Sequence, residues 1–320
     1  MGFEYAIIVK NKTRLESLIE RFNTKAQAKF YIERLGGNFY DYELEHEVFH
    51  TSLISLQTQL SRVVKNKTVE RIYLPSFIFS EKNLIVVIGQ DGLVANTAKY
   101  SKGCPIIAVN PDKDRYDGVL LPFDTSDFVG AVENVLNNRF QSKTMRFAEA
   151  KLNDGQRLLA FNDLFIGASS HISARYKISF NQNTEEHSSS GLIISTSAGS
   201  TGWLSSIFNM AYGVTSMFEK DLNPKRPKLK DNELLFAVRE PFQSIRTQIG
   251  ITAGIINHQN HLTIESLMPT SGVIFSDGIE TDFLKFNSGS IATIGIAPET
   301  ANMVTKSYEK GHSVVNNGFL

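Results

Sequence analysis

The fold is decided by the stretch LIVVIGQDG, residues Leu84–Gly92. Its five apolar residues favour β-structure, and their unbroken run is typical of a strand buried on both faces. Gly89 and Gly92 permit backbone angles and close approaches that a side chain would block. A segment with helical character, 93–100, follows at once, and amides at the start of a helix face anions favourably. The stretch therefore predicts a strand, a phosphate-binding turn and a helix.

Asp91 lies inside this turn. A carboxylate in an anion site is unfavourable unless Mg²⁺ neutralises it or it takes a proton from an attacking hydroxyl. Asp91 is therefore the first candidate for a catalytic residue. An isolated Gly-x-Asp-Gly is more often an ordinary corner in which the aspartate caps the helix, so a second motif is needed to favour the chemical interpretation.

The second motif is GLIISTSAGSTGW, residues Gly191–Trp203. An apolar strand runs here into a loop rich in hydroxyl groups, in which small residues leave room for a flat ring or a ribose. Trp203, the only tryptophan of the chain, can close one side of such a site by stacking. The alternative is a Ser/Thr-rich turn that caps a helix beginning near Thr201, with Trp203 in the core.

Together these motifs resemble those of the NAD kinase family, which carries a Gly-Gly-Asp-Gly turn and a later Ser-Thr-Pro-Thr-Gly-Ser-Thr-Ala-Tyr-like loop. Between the two, the family has an Asn-Glu pair that holds ribose hydroxyls, and Asn162-Asp163 stands in the corresponding place. The stretch Leu262–Ile296, with Ser276-Asp277-Gly278, is similar to the late β-region of the family. The resemblance thus covers most of the chain.

The resemblance implies transfer of a phosphoryl group from ATP, with Mg²⁺, to the 2′-hydroxyl of the adenosine ribose of NAD, which gives NADP. It implies that Asp91 deprotonates the hydroxyl or helps to hold Mg²⁺. The other residues carried over from the family are, for the donor phosphates, Gly89, Gln90 and Gly92, and, for the acceptor, Asn162, Asp163, Ala198, Thr201, Gly202 and Trp203. No protein ligand set for a metal ion is predicted.

Several positions depart from the family pattern. Gln90 replaces the second glycine, and Leu93 stands where a hydroxyl often lies against phosphate. Ser190 stands where the family usually has an Asp associated with the nicotinamide-bearing half of the substrate, and Asp163 is one methylene shorter than Glu. Two alternatives therefore stay open. One is a related kinase acting on another nucleoside, sugar or lipid hydroxyl, and the other is a non-catalytic sensor that binds NAD or NADP.

Composition agrees with a nucleotide-binding enzyme and excludes some other classes. The 320 residues suffice for two domains, and 33 basic against 33 acidic residues give no general attraction to nucleic acid or an anionic membrane. A single cysteine excludes an intrachain disulfide, and no Cys/His cluster has zinc spacing. Residues 1–10 lack the basic region and the long apolar stretch of a signal peptide, and no apolar run reaches about 18 residues. We expect a cytoplasmic protein, and the resemblance implies a homodimer or homotetramer.

Hydrophobic periodicity predicts two domains of different class. Residues 1–143 alternate between strands and helices, which is typical of a doubly wound, Rossmann-like α/β domain. Residues 144–300 form short β-runs, which predict an antiparallel β-sandwich-like domain. We expect the tail, 301–320, to pack back on the first domain. The sequence further predicts helices beginning at Thr13 and Thr24, a strand at Val69–Leu74 and a short β-run at Leu158–Gly167.

Overall fold

The computed structural model describes residues 2–218 and 227–306, which form two compact units. Within the described residues, the first unit comprises 2–94, 104–143 and 302–306, and the second comprises 95–103 and 144–301. The segment 95–103 thus belongs to the second unit, although the sequence suggests the first. Of the predicted tail, residues 307–320 lie outside the described residues.

The first unit is built on a parallel sheet. Its strands are β1 (Tyr5–Lys10), β2 (Asn66–Glu70), β3 (Asn83–Ile88), β4 (Pro105–Asn110) and β5 (Phe123–Asp124). β1 pairs with β2 and β3, β3 pairs with β4, and β4 pairs with β5, all in parallel. Every residue of β3 and β4 is buried, as the apolar runs predict.

In the described part of this unit, five helices alternate with or precede the strands of the sheet. The helices are α1 (Arg14–Phe22), α2 (Lys25–Arg34), α3 (Phe39–Leu60), α4 (Asp91–Ala98) and α5 (Phe128–Leu136), with a 3₁₀ turn at Arg71–Ser76. Thr13 and Thr24 are the N-caps of α1 and α2, which confirms both predicted starts. The apolar face of α3 packs with that of α5 on one face of the sheet, so this part of the unit is an α/β layer structure as predicted.

One predicted strand of the first unit is wrong. The sequence places a strand at Val69–Leu74, whereas β2 covers Asn66–Glu70 and the chain then turns into the 3₁₀ segment. The position of β2 is set by its pairing with β1, which begins at Asn66 and ends at Glu70. Pro75, which cannot donate a backbone hydrogen bond, lies inside the following turn. Tertiary pairing therefore overrides the local β-branched pattern.

The second unit is rich in antiparallel strands. They are β6 (Ser142–Leu152), β7 (Arg157–Ala160), β8 (Asp163–Ala168), β9 (Ala174–Phe180), β10 (Asn183–Ser189), β11 (Leu192–Ser195), β12 (Leu234–Val238), β13 (Ala253–Ile256), β14 (Leu262–Ser266), β15 (Gly272–Ser276), β16 (Ile279–Lys285) and β17 (Ile291–Val304). After β11, a 3₁₀ turn at Gly199–Thr201 leads into α6 (Trp203–Thr215). The last residues of β17 belong to the first unit.

Two sheets enclose the core of this unit. One follows the order β10-β9-β14-β17 and the other the order β13-β12-β11-β8-β15-β16. Side chains of the first, such as Tyr176 and Ile264, share one buried cluster with Ile166, Ile194 and Phe236 of the second. Face-to-face packing of two antiparallel sheets explains the alternating pattern of the sequence. Within residues 2–218 and 227–306, the helices are too short or too polar to cross a membrane.

Gly272 provides a stability test of this packing. A Cβ atom at Gly272 would lie 1.8 Å from the carbonyl oxygen of Phe286, a backbone atom that cannot turn aside. We expect Gly272→Ala to lower the free energy of unfolding by about 2 kcal/mol or more, measured by urea denaturation. Gly295→Ala is the matched control, because a Cβ there meets nothing within 4 Å. Equal stability of the two variants would show that the β15 register is not constrained in this way.

Candidate functional site

The Gly89–Gly92 turn joins β3 to α4, as the sequence predicts. Three of its residues, Gly89, Gln90 and Gly92, line a cavity of about 610 Å³ in the first unit. Asp91 is the first residue of α4. The turn therefore places backbone amides of a helix N-terminus beside an open cavity, which is the arrangement that an anion requires.

The cavity is strongly basic. Its charged lining residues are Lys12, Arg14, Arg21, Arg71 and Glu45. Glu45 is paired with Arg14, and Lys12 lies 2.9 Å from Glu20. None of these cations was predicted as a site residue from the sequence. Lys12 and Arg14 follow the carboxyl end of β1, the neighbour of β3, and that position is the signal that would have pointed to them.

Asp91 makes two backbone contacts. Its carboxylate accepts hydrogen bonds from the amide of Val119 at 3.2 Å and from the amide of Leu120 at 2.8 Å. The side chain is only half-buried, and each oxygen retains a free lone pair. Asp91 itself is not among the lining residues of the basic cavity. It therefore anchors the 118–121 loop beside the turn while it keeps capacity for a further partner.

The Asn162-Asp163 pair and the Gly191–Trp203 motif form one hydrogen-bonded structure. The hydroxyl of Thr196 donates to the carbonyl of Phe161 at 2.6 Å, and the amide of Thr196 donates to the carbonyl of Asn162 at 2.9 Å. A Cβ at Gly199 would lie 2.2 Å from that same carbonyl oxygen. Two motifs that are more than 30 residues apart thus meet in direct backbone contact, and glycine is required at the contact.

The acceptor candidates of the loop differ in exposure. Ala198 is half-buried, and Thr201 and Gly202 are exposed at the end of the 3₁₀ turn. Asn162 is half-buried, whereas Asp163 is buried. Small, accessible residues beside a carboxamide and a carboxyl group leave a surface on which a nucleoside can lie.

Asp277 holds the Asn162-Asp163 segment in place. Its carboxylate accepts hydrogen bonds from three consecutive amides, those of Phe161, Asn162 and Asp163, at 3.0, 2.6 and 3.3 Å. The predicted β-run Leu158–Gly167 is therefore not one continuous strand. The chain breaks into β7 and β8 at this point, because the three amides turn towards Asp277 instead of towards a neighbouring strand.

Lys99 neutralises this buried carboxylate. The Nζ atom of Lys99 lies 3.5 Å from Asp277 Oδ2, and the side chains are 4% and 0% exposed. Lys99 also donates to the hydroxyl of Ser276 at 2.7 Å. The resemblance pointed to the Ser276-Asp277-Gly278 stretch but assigned it no role. Its contacts show that it supports the residues carried over for ribose.

Asp163 has an altered acidity. Burial raises the pKa of its carboxyl group to about 7, and the negative charge of Asp277 adds to the effect. Near neutral pH the group therefore exists in both protonation states. A protonated carboxyl group can donate a hydrogen bond as well as accept one, which suits a hydroxyl partner.

Trp203 contributes to an aromatic cavity of about 480 Å³ in the second unit. Its ring stacks on Phe165, with 5.7 Å between centroids and 7° between planes, and Phe275 in turn stacks on Phe165 with 4.8 Å between centroids. The Arg239 guanidinium lies 5.4 Å from the Trp203 ring centroid. Ser190 also lines this cavity, and its lining residues include no carboxylate. Trp203 is thus both packed against a small apolar cluster and available to a flat ligand.

Solved structures with the same fold include two nucleotide kinases. Yeast NADH kinase, solved with NADH, matches with a TM-score of 0.57 and 16% identity over 96% of this chain and 84% of its own. An NAD kinase from Archaeoglobus fulgidus, solved with ATP, matches with a TM-score of 0.51 and 14% identity over 94% of this chain and 93% of its own. No protein-family model and no curated protein sequence matches the chain. The chain therefore has the NAD kinase fold, which confirms the resemblance at the level of fold.

Removal of the Asp277 charge tests the support of the acceptor motif. Asp277→Asn keeps the shape but leaves the buried Lys99 ammonium without its counter-charge, so we expect a loss of about 3–5 kcal/mol in the free energy of unfolding. Asp154→Asn is the control, since Asp154 is an exposed turn residue that also accepts a backbone amide. A loss no larger than that of the control would contradict the role given to the pair.

The raised pKa of Asp163 predicts a pH dependence of stability. The folded-state pKa of about 7 lies above the unfolded value of about 3.9, so the folded state binds more protons between these pH values. The contribution of Asp163 to stability is therefore present at low pH and is lost as pH rises through about 7, by up to about 4 kcal/mol. Asp163→Asn should remove this slope from urea-unfolding curves measured at pH 4–8. Parallel pH profiles for the two proteins would refute the assignment.

Proposed function

We propose that the chain is an NAD kinase-like phosphotransferase, which transfers a phosphoryl group from ATP to the 2′-hydroxyl of the adenosine ribose of NAD to give NADP. The observation that carries this proposal is the basic cavity at the Gly89–Gly92 turn. A turn that sequence resemblance assigns to donor phosphates borders a cavity with four cationic side chains. The shared fold with NAD and NADH kinases supports the same activity.

The charge of the basic cavity supports binding of ATP as the phosphoryl donor. ATP carries several negative charges, and the lining of the basic cavity offers Lys12, Arg14, Arg21 and Arg71. Glu20 pairs with Lys12 and Glu45 with Arg14, so four cations against two carboxylates leave the cavity positive. Arginine binds phosphate through a planar fork of donors, which gives orientation as well as attraction. Gln90, which replaces a family glycine, also lines the cavity and can donate through its side-chain amide. In this proposal Gly89, Gln90 and Gly92 contact the donor phosphates.

Residues of the second unit are the proposed binding site for the acceptor, NAD. Asn162 and the partly protonated Asp163 would hold the adenosine ribose, and Asp277 keeps both in register. Ala198, Thr201 and Gly202 would frame the adenine, because they are small and are not fully buried. The aromatic cavity with Trp203 would accept the nicotinamide-bearing half, in agreement with the position of Ser190 in its wall.

Asp91 is the proposed general base. In the transfer, the ribose 2′-oxygen forms a bond to the γ-phosphorus, the bond from that phosphorus to the β,γ-bridging oxygen breaks, and ADP leaves. The hydroxyl proton passes to the Asp91 carboxylate, whose free lone pairs remain available beside its two amide contacts. The same carboxylate oxygens would suit coordination of Mg²⁺, which would supply neutralisation of charge on the transferred group when bound with ATP. Alignment of the reacting groups would supply the remainder of the rate.

NADH is a second acceptor that the aromatic cavity favours. Its lining contains the Arg239 guanidinium and no carboxylate, since Ser190 stands where the family has an Asp. A neutral dihydronicotinamide avoids the repulsion that a cationic nicotinamide meets there. Other nucleoside, sugar or lipid hydroxyls and a non-catalytic sensor remain the alternatives. A cytoplasmic location remains a prediction from the sequence, and a homodimer or homotetramer remains a prediction from the resemblance.

The activity is tested by NADP formation from NAD with ATP and Mg²⁺, measured with a coupled NADP-specific dehydrogenase. NADH is tested in parallel by chromatographic detection of NADPH. Asp91→Asn should lower kcat by about 100-fold or more, because it removes the general base. Asp117→Asn, an exposed carboxylate next to the same loop, is the matched control and should retain the rate. Turnover unchanged in Asp91→Asn would refute the role of Asp91, and nucleotide binding without turnover by the wild type would favour the sensor.

A further inference from the structure

Two histidines and a glutamate lie together between α1 and α3. His46 and His50 are one turn apart on α3, and their ring centroids are 4.3 Å apart. Glu16 of α1 faces them, with its Oε1 atom 3.1 Å from His50 Nε2. Each residue offers one ligand atom, and these three atoms lie within 4.8 Å of one another. Among the described residues, this is the one cluster of its kind.

We propose that Glu16, His46 and His50 bind a divalent transition-metal ion of the zinc class. Zinc takes two imidazole nitrogens, one carboxylate oxygen and a water molecule in tetrahedral sites, with bonds of about 2.0–2.2 Å. Such bonds place neighbouring ligand atoms about 3.4 Å apart, so the cluster needs only small side-chain movements to close around an ion. Imidazole with carboxylate favours zinc, nickel or cobalt over magnesium or calcium, which prefer oxygen ligands throughout.

Contacts around the cluster already orient two of the three ligands. The Thr13 hydroxyl lies 2.9 Å from His46 Nδ1, so this ring nitrogen has a partner and Nε2 is left for an ion. The amide of Thr13 donates to Glu16 Oε2 at 2.7 Å, which directs Oε1 towards His50. The contact between Thr13 and Glu16 belongs to the capping box that starts α1, and the contact with His46 uses the hydroxyl of the same N-cap residue. Partners of this kind fix ring orientation and increase metal affinity.

The cluster is also accessible to an ion. The side chains of Glu16 and His50 are 27% and 32% exposed, which leaves access for an ion and a water ligand.

A bound ion would have a structural effect on the basic cavity. Thr13, Arg14 and Ser17, which flank Glu16 in α1, line that cavity. An ion shared by α1 and α3 fixes the two helices to each other and thereby fixes this wall. The proposal of a metal site does not depend on the proposed kinase activity, because Glu16, His46 and His50 have no part in the transfer.

The metal ion itself is the probe. The full chain is stripped with a chelator and titrated with Zn²⁺ by calorimetry and with Co²⁺ by visible absorption. We expect one ion per chain, a rise in Tm on addition of Zn²⁺, and the absorption of tetrahedral Co²⁺. His46→Asn/His50→Asn should abolish all three signals. His258→Asn/His261→Asn is the matched control, because it removes two exposed histidines outside the cluster and should leave binding unchanged.

Glu16→Gln separates binding from folding. Glutamine serves in a capping box as glutamate does, so the metal-free stability should stay close to that of the wild type. Its neutral amide is a poor metal ligand, so Zn²⁺ affinity should fall by about 10-fold or more. Loss of a residue that only supports a metal ligand already lowers affinity by about 10-fold to 100-fold. Absence of a stoichiometric ion, or binding that survives in His46→Asn/His50→Asn, would overturn the proposal.

Discussion

The acceptor region depends on one buried charge pair, Asp277 with Lys99. A carboxylate and an ammonium that are almost entirely shielded from water stabilise a structure only when their remaining hydrogen-bonding capacity is used. Here Asp277 uses it on three consecutive amides of the 161–163 segment. The same contacts interrupt an otherwise apolar β-run, and the negative charge of Asp277 adds to the burial that raises the pKa of Asp163. Asp277 therefore affects both the structure and the acidity of this segment.

The donor region follows from different physics. In a parallel sheet the carboxyl ends of neighbouring strands lie at one edge, so residues that follow β1 and β3 meet there. Lys12 and Arg14 come from the first of these strands and Gly89 and Gln90 from the second. Basic side chains and a helix N-terminus add their attraction for anions. No overall positive charge of the chain is needed, which agrees with its net charge of zero.

Local features were predictable from the sequence, and long-range ones were not. The buried strand β3, its turn and the caps Thr13 and Thr24 depend on neighbours in the chain, and all were predicted. The break between β7 and β8 was missed because its cause, Asp277, lies more than 110 residues away. The cluster of Glu16 and His50 was missed for the same reason, since 34 residues separate them and no zinc spacing exists. Roles of individual site residues were carried by resemblance, and they stay proposals.

The central claim is that the segment held by Asp277 binds the acceptor ribose. A crystal structure of the full chain with bound NAD or NADH tests this most directly. Our account predicts the adenosine ribose hydroxyls within hydrogen-bonding distance of Asn162 and Asp163, with the adenine beside Ala198 and Gly202. A dinucleotide bound in another place, or with its adenosine away from Asn162 and Asp163, would contradict the account.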